Sequence, residues 1–156
     1  MKSVISLLLV CLCINFSMAG KIKELKDEWD VPEHYKRPAK ILHRICLAES
    51  GADEEIIKQC MDGTLHDQRE VKCYIYCLFH KVDVIDEATG RILLDRLAPL
   101  APNSDMRDAF EHLTRECGHI ETDDPCDTAY EVAKCYFAAH DEVMRFCHLL
   151  MADVTN

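Results

Sequence analysis

The sequence predicts an all-α domain of about six helices that are cross-linked by disulfides. Apolar residues recur at intervals of three and four along most of the chain, whereas the alternation typical of a half-buried strand is nearly absent. Four of the five glycines, Gly51, Gly63, Gly90 and Gly118, lie between these periodic stretches, at positions typical of helix ends. Ten cysteines in 156 residues complete the pattern of a small disulfide-rich domain.

The N-terminus predicts a secretory signal peptide. Lys2 supplies a short positive region, an apolar run extends from Val4 to Phe16, and Ser17-Met18-Ala19 places small residues at a cleavage site. A transmembrane helix needs about 20 apolar residues, and charged residues end this run too soon. An uncleaved anchor is the alternative. We therefore expect removal of residues 1–19 and a single secreted, extracellular domain over residues 20–156.

Removal of this peptide leaves eight cysteines and changes the formal net charge from −10 to −11, because Lys2 is lost. An even number of thiols in an oxidising compartment predicts four disulfides. The acidic balance argues against nucleic acid, which needs a basic surface, and against anionic membranes. We therefore expect neither a nucleic-acid partner nor a membrane partner.

Helical periodicity is found in six segments, most of which begin at a capping residue or proline and end at glycine or proline. Before them, residues 20–37 form a polar arm with a short helix. The six are a helix from Pro38 to Gly51, a short helix capped by Asp53, a helix over 68–82 with a capping box of Asp67 and Glu70, a short helix between Gly90 and Pro99, a helix from Ser104 or Asp105 to Gly118, and a last, long helix that begins at Asp124-Pro125.

The helix that contains Cys73 and Cys77 is expected to be central. These cysteines lie one turn apart on one face, where they are poorly placed to bond to each other, so each must bond to a different element. The opposite side carries an apolar arc. Its members are Val71, Ile75, Leu78, Phe79 and Val82. Such a helix is buried on both sides.

Six of the eight cysteines follow a characteristic spacing. The order is Cys46-x26-Cys73-x3-Cys77-x39-Cys117-x8-Cys126-x8-Cys135. This spacing resembles that of the insect odorant-binding proteins of the pheromone- and general-odorant-binding type. The local sequences 71–79, 84–87 and 126–130 resemble that family's third helix, the turn after it and its last helix. The resemblance covers most of the domain, and the match of all five intervals makes it specific.

The resemblance implies how the cysteines pair. In the family the first cysteine bonds to the third, the second to the fifth and the fourth to the sixth. The implied bridges are Cys46–Cys77, Cys73–Cys126 and Cys117–Cys135. Cys60 and Cys147 lie outside the six-cysteine pattern, and we expect them to pair and to tie the short second helix to the C-terminal segment.

The resemblance also implies a central apolar cavity that holds a small hydrophobic ligand. Taken alone, periodic apolar residues more often indicate a solid core. The implied cavity wall is formed by the inner faces of the helices and by the apolar C-terminal segment after Cys135, which we call the tail. A disulfide of Cys147 would hold this segment in place. The expected ligand-binding residues are Tyr76, Leu78, Phe79, Val82, Leu93, Leu94, Leu97, Met106, Phe110, Leu113, Tyr130, Ala133, Phe137 and Phe146. Tyr76, Tyr130 and Tyr136 are candidates to donate a hydrogen bond to the ligand, although a buried tyrosine more often bonds to the backbone.

The implied function is a secreted carrier that reversibly binds an odorant or pheromone and transports it through aqueous extracellular fluid. A chemosensory receptor is a further partner, and the expected assembly is a monomer or weak homodimer. The alternatives are a non-olfactory carrier or scavenger of lipids or amines, and an interaction or defence protein with a solid core. Related proteins release ligand on acidification, so His140 or His148, beside the tail, is expected to weaken binding when charged.

Catalysis and metal binding have little support in the sequence. Neither Ser50 nor Ser104 lies in a G-x-S-x-G motif, and the glycines of a phospholipase calcium loop are missing. Cys73-x3-Cys77-x2-His80 could mimic a zinc corner, but thiols oxidised to disulfides do not bind zinc. We expect no enzymatic activity, no cofactor and no metal.

Overall fold

The described part of the chain is built from helices joined by short loops. A computed structural model gives residues 33–101, 104–139 and 142–151, with the backbone alone for residues 33 and 142–145. The α-helices are α1 (Glu33–Ser50), α2 (Glu54–Lys58), α3 (Arg69–Lys81), α4 (Ser104–Cys117), α5 (Pro125–Ala139) and α6 (Glu142–Met151), and two 3₁₀ helices cover Gln59–Asp62 and Leu94–Leu100. The predicted all-α class is confirmed, whereas the predicted signal peptide lies outside the described residues.

Two of the predicted helix caps are formed. The carboxylate of Asp53 accepts a 2.8 Å hydrogen bond from the backbone N–H of Glu55 at the start of α2. The carboxylate of Asp124 accepts bonds of 2.8 and 3.0 Å from the backbone N–H groups of Cys126 and Asp127 at the start of α5. Each aspartate satisfies N–H groups that a helix start leaves unpaired.

The predicted capping box of Asp67 and Glu70 is wrong. Gln68 precedes α3 and makes no capping hydrogen bond with its side chain. The carboxylate of Asp67 pairs instead with the ammonium group of Lys72, which also pairs with Asp127 at 3.1 Å. An ion pair with Lys72 in the first turn of α3 therefore replaces the cap that the sequence pattern assigned to Asp67.

The short helix predicted between Gly90 and Pro99 is right only for its second half, where a 3₁₀ helix covers Leu94–Leu100. Ile85 and Ile92 form an isolated antiparallel bridge, and the chain turns between them at Gly90, which has a φ of +72°. Backbone groups on the two sides of this turn bond to each other, and so they are not available to an α-helix.

Two helices differ in length from the prediction. α1 begins at Glu33 rather than at Pro38, which lies inside the helix near its start. There the missing N–H of proline costs one hydrogen bond without ending the helix. The helix from Asp124-Pro125 ends at Ala139, and the tail forms a separate helix that begins at Glu142.

α3 lies at the centre of the domain, as predicted from its cysteine-bearing face and the apolar arc on its opposite side. It packs against both α1 and α5. α4 packs against α5 and the 3₁₀ helix Leu94–Leu100, and α6 packs against α1 and the 3₁₀ helix Gln59–Asp62. Among the fully buried side chains of the described residues, that of Tyr136 is the largest.

Four disulfides join these elements. They are Cys46–Cys77 between α1 and α3, Cys73–Cys126 between α3 and α5, Cys117–Cys135 between α4 and α5, and Cys60–Cys147 between the 3₁₀ helix Gln59–Asp62 and α6. Their Cα–Cα distances of 4.6 to 5.9 Å lie in the usual range. Neighbouring cysteines of α3 thus bond to different helices, and α3 and α5 are each joined to two other helices.

Two further features concern membranes and metals. Within residues 33–101, 104–139 and 142–151, no helix combines the length and apolar content needed to cross a membrane. The same residues contain no group of three or more His, Cys, Asp or Glu that could hold a metal ion. Both thiols of the zinc-corner motif, Cys73 and Cys77, are bonded in disulfides, so His80 has no thiolate partner there.

Candidate ligand-binding site

The residues expected to line the cavity differ in burial. The buried core includes Leu78, Phe79, Leu94, Leu113, Tyr130 and Ala133. Half-buried residues that pack against it are Tyr76, Val82, Leu97 and Phe110. Leu93, Met106 and Phe137 are also half-buried. The fold therefore gathers predicted wall residues from α3, α4, α5 and the 3₁₀ helix Leu94–Leu100 into one apolar region, which we call the inner cluster.

Tyr136 places a polar atom in this apolar region. Its side chain is 1% exposed, and its ring meets that of Phe79 edge to face, with centroids 6.3 Å apart. The hydroxyl has no hydrogen-bond partner among the described residues. Burial, with a smaller contribution from the carboxylate of Asp95, raises the pKa of Tyr136. The hydroxyl therefore keeps its proton and can both donate and accept a hydrogen bond.

Tyr130, one turn and a half earlier in α5, has its hydroxyl already engaged. That hydroxyl donates to the backbone carbonyl of Leu65 at 3.2 Å. The ammonium groups of Lys72 and Lys134 lie 5.1 and 5.2 Å from the centre of its ring. Tyr130 thus packs in the core while its hydroxyl bonds to the backbone, and Tyr136 is the better placed of the two to meet a ligand.

α6 presents different residues to the core and to the surface. Cys147 and Leu150 are buried, whereas Phe146 is 36% exposed. Two histidines, His140 and His148, are expected to weaken ligand binding when they are protonated. His148 is exposed, and His140 lies outside the described residues. The helix is fixed to the domain by its disulfide, and the place of Phe146 in the wall stays a prediction.

A surface pocket of about 250 Å³ opens between α3, the loop after it and the start of α5. On α3 the rings of Tyr76 and His80 are nearly parallel, with an interplanar angle of 5° and centroids 5.9 Å apart. The rest of the lining comprises Ile85, Asp86, Glu87, Gly90, Ile92 and Pro125. Tyr76, which the sequence assigned to the internal wall, therefore lines this pocket.

The sequence itself matches a known family. The match to the PBP/GOBP family covers residues 29–139, more than half of the chain. The chain belongs to the PBP/GOBP family. The resemblance to insect odorant-binding proteins, predicted from the cysteine spacing, is confirmed.

Several known proteins resemble this PBP/GOBP chain. The structure of Odorant Binding Protein 7 from Anopheles gambiae superposes with a TM-score of 0.73 at 62% identity, over 78% of this chain and 98% of that one. It has four disulfide bridges and is in complex with an azo compound. General odorant-binding protein 69a of Drosophila melanogaster is 33% identical over 96 residues, and B2 protein of Tenebrio molitor is 34% identical over 91 residues. These matches cover 61% and 58% of this chain. They span 64% of the fruit-fly protein, slightly less than two thirds, and 70% of the beetle protein.

Sequence reasoning misses one buried polar pair of this PBP/GOBP chain. His43 is 5% exposed, its Nδ1 lies 2.7 Å from the hydroxyl of Tyr74, and its Nε2 lies 3.8 Å from a carboxylate oxygen of Glu54. Burial lowers the pKa of His43, and the Glu54 carboxylate opposes this more weakly. A signal was present, because Ala39 and Cys46 lie four residues before and three after His43, on the same helix face.

Proposed function

We propose that the chain is a secreted carrier that reversibly binds a small hydrophobic molecule, an odorant or pheromone, and transports it through aqueous extracellular fluid. The proposed site is an internal cavity within the inner cluster. Membership of the PBP/GOBP family supports a small-ligand carrier, as does the azo compound bound to the mosquito protein. The observation that carries the proposal is the buried, unpartnered hydroxyl of Tyr136.

An unpaired buried hydroxyl is unfavourable by about 1–3 kcal/mol, and folded proteins retain few of them. A ligand with a carbonyl, ether or alcohol oxygen would remove this cost by accepting from Tyr136. The ring that carries this hydroxyl meets that of Phe79 edge to face, so its surroundings are apolar. This combination of an apolar wall and one orienting polar group is typical of small-molecule sites.

Most of the binding free energy would come from the apolar part of the ligand. A molecule that buries about 300 Å² of apolar surface gains about 7 kcal/mol. Lost translational and rotational freedom removes a large part of that gain. The remainder fits weak, reversible binding, which a carrier that must release its cargo needs.

The disulfides fit such reversible binding. Cys73–Cys126 ties α3 to α5, and these are the helices that hold Phe79 and Tyr136. Cys117–Cys135 ties α4 to the same helix α5. Helices fixed in this way keep their spacing while a ligand enters or leaves, because cross-links restrict the alternatives open to the chain.

Displacement of a fluorescent apolar probe, N-phenyl-1-naphthylamine, tests the binding site. A medium-chain ketone and an alkane of equal length serve as competitors. Tyr136→Phe should weaken ketone binding about threefold to tenfold, because one hydrogen bond is lost, and should leave alkane binding unchanged. Tyr130→Phe is the matched control and should alter neither, since that hydroxyl bonds to Leu65.

Failure of the wild-type protein to bind the probe would indicate a solid core and overturn the carrier proposal. Equal weakening of ketone and alkane by Tyr136→Phe would locate the polar contact elsewhere.

Secretion is tested by expression in insect cells and mass spectrometry of the medium, where a chain starting at Gly20 is expected. Presence of the protein in antennal lymph supports the olfactory role, and presence only in haemolymph, seminal or salivary fluid supports the alternative carrier.

A further inference from the structure

The surface pocket beside α3 has one apolar side and one acidic side. Ile85, Ile92 and Pro125 supply aliphatic surface, and Tyr76 and His80 supply the two parallel rings. Tyr76 is half-buried and packs on the core, so its ring is held in place. Within the described part of the chain, neither the Tyr76 hydroxyl nor a ring nitrogen of His80 makes a hydrogen bond.

The acidic side contains two carboxylates in different situations. Asp86 is engaged: it accepts from the backbone N–H groups of Ala88 and Thr89 at 3.0 Å and pairs with Arg96 at 3.3 Å. A hydrogen bond with the Thr89 side chain, supported by these contacts, holds the pKa of Asp86 below its usual range, so it remains an anion. Among the described residues, its neighbour Glu87 makes no hydrogen bond or ion pair. Glu87 therefore brings an uncompensated negative charge to the pocket.

We propose that this pocket binds a small organic ammonium ion. The negative face of the Tyr76 ring attracts a cation, and a nearby carboxylate adds a direct ion pair. The aliphatic residues would cover the organic part of the ligand. The acidic lining disfavours anions, and the net charge of −10 on the chain attracts cations from solution.

The size of the pocket restricts the ligand. About 250 Å³ is less than the roughly 300–1,000 Å³ of sites for drug-sized molecules. An arylalkyl ammonium ion with a single ring is therefore the expected class. This pocket shares Tyr76 with the edge of the inner cluster but opens at the surface, and the proposal goes beyond the carrier function without depending on it.

NMR titration of the ¹⁵N-labelled full mature chain with 2-phenylethylammonium tests the proposal, with 2-phenylethanol as the neutral analogue of nearly equal shape. The ammonium ion should shift backbone resonances at Tyr76, at His80 and over 85–92. The alcohol should bind at least about tenfold more weakly. Neither compound needs to displace the fluorescent probe from the inner cluster, so the two proposals can fail independently.

Matched variants distinguish binding in this pocket from the general attraction of a cation to an acidic protein. Glu87→Gln should weaken ammonium binding about tenfold. Glu111→Gln removes the same charge from the exposed face of α4 and should leave binding unchanged. Tyr76→Leu should weaken it about twofold to fivefold through loss of the ring. Equal affinity for ammonium and alcohol, equal effects of the two glutamine variants, or resonance shifts confined to other regions would overturn the proposal.

Discussion

The Nδ1 atom of His43 and the hydroxyl oxygen of Tyr74 lie 2.7 Å apart, and this contact joins α1 to α3 inside the core. Burial raises the pKa of Tyr74, so its hydroxyl keeps its proton and can donate to Nδ1 of a His43 tautomer that is protonated on Nε2. His43 then accepts at Nδ1 and, in its neutral form, carries its proton on Nε2, which lies 3.8 Å from Glu54. The Nε2 atom itself is buried and makes no hydrogen bond among the described residues, so burial favours the neutral form of His43.

Stability should therefore fall on mild acidification. Burial places the pKa of His43 in the folded state below its ordinary value of 6.5, so the unfolded chain takes up this proton first. The contribution is fully present above 6.5 and is lost as the pH falls through the folded-state pKa. His43→Asn keeps an acceptor near Nδ1 but does not titrate. Urea unfolding between about pH 7.5 and about pH 5 should show a smaller loss in this variant.

His119→Asn is the control for that experiment, because His119 is exposed. It should retain the pH dependence of the wild-type protein. An equal slope for wild type and His43→Asn would assign the acid sensitivity to another group, and His148 on α6 would be the next to replace.

Tyr74→Phe should destabilise the fold by about 1–3 kcal/mol, because it leaves the buried Nδ1 of His43 without a partner. The ring itself is kept, so packing changes little. Urea unfolding at about pH 7.5, where His43 is neutral, measures the effect. Combining Tyr74→Phe with His43→Leu removes both polar groups, and the double variant should recover part of the loss. A double variant less stable than the sum of the two single changes would contradict this account.

Tyr136→Phe and Tyr130→Phe should change stability in opposite directions. Without ligand, the first removes an unpaired hydroxyl and should stabilise the protein by up to about 1 kcal/mol. The second removes the bond to the carbonyl of Leu65 and should destabilise it by about 1 kcal/mol. Thermal unfolding of ligand-free protein compares them. Destabilisation by both changes would mean that the Tyr136 hydroxyl is already satisfied.

The two disulfides that close the longest and shortest loops should contribute unequally. Cys60–Cys147 spans 87 residues and Cys117–Cys135 spans 18. Chain entropy alone assigns them about 4.5 and about 3 kcal/mol. Paired alanine substitutions, followed by urea unfolding without reductant, should show the larger loss for Cys60→Ala with Cys147→Ala. The reverse order would show that local packing outweighs the restriction of the unfolded chain.

Much of the fold could be predicted because cysteine spacing and helix caps are local signals. Cys73 and Cys77, one turn apart, require two different partners in any helical fold, and Asp53 and Asp124 bond to N–H groups within their own first turn. The failures occur where another group competes for a side chain. Asp67 pairs with Lys72, which also pairs with Asp127 of α5, rather than capping α3, and the capping pattern does not record that competition.

The candidate site was less predictable than the fold. Helical spacing places Tyr76 and Phe79 on nearby positions of α3, yet Phe79 is buried in the inner cluster while Tyr76 lines the surface pocket. Phe146 is apolar and follows the tail pattern, yet it is exposed beside buried Cys147. Which side of a helix faces inward depends on neighbours far along the chain, and periodicity gives only the width of the apolar face.

The arrangement of the bridges has a consequence for survival in fluids that contain proteases. A cut within 51–53 leaves the two pieces joined through Cys46–Cys77, and a cut within 63–68 or 82–93 leaves them joined through Cys60–Cys147. A cut within 118–124 is spanned by Cys117–Cys135 as well. A single hydrolysed peptide bond in any of these loops would cut the chain without separating the pieces, so the fold could survive damage that would divide a chain without cross-links.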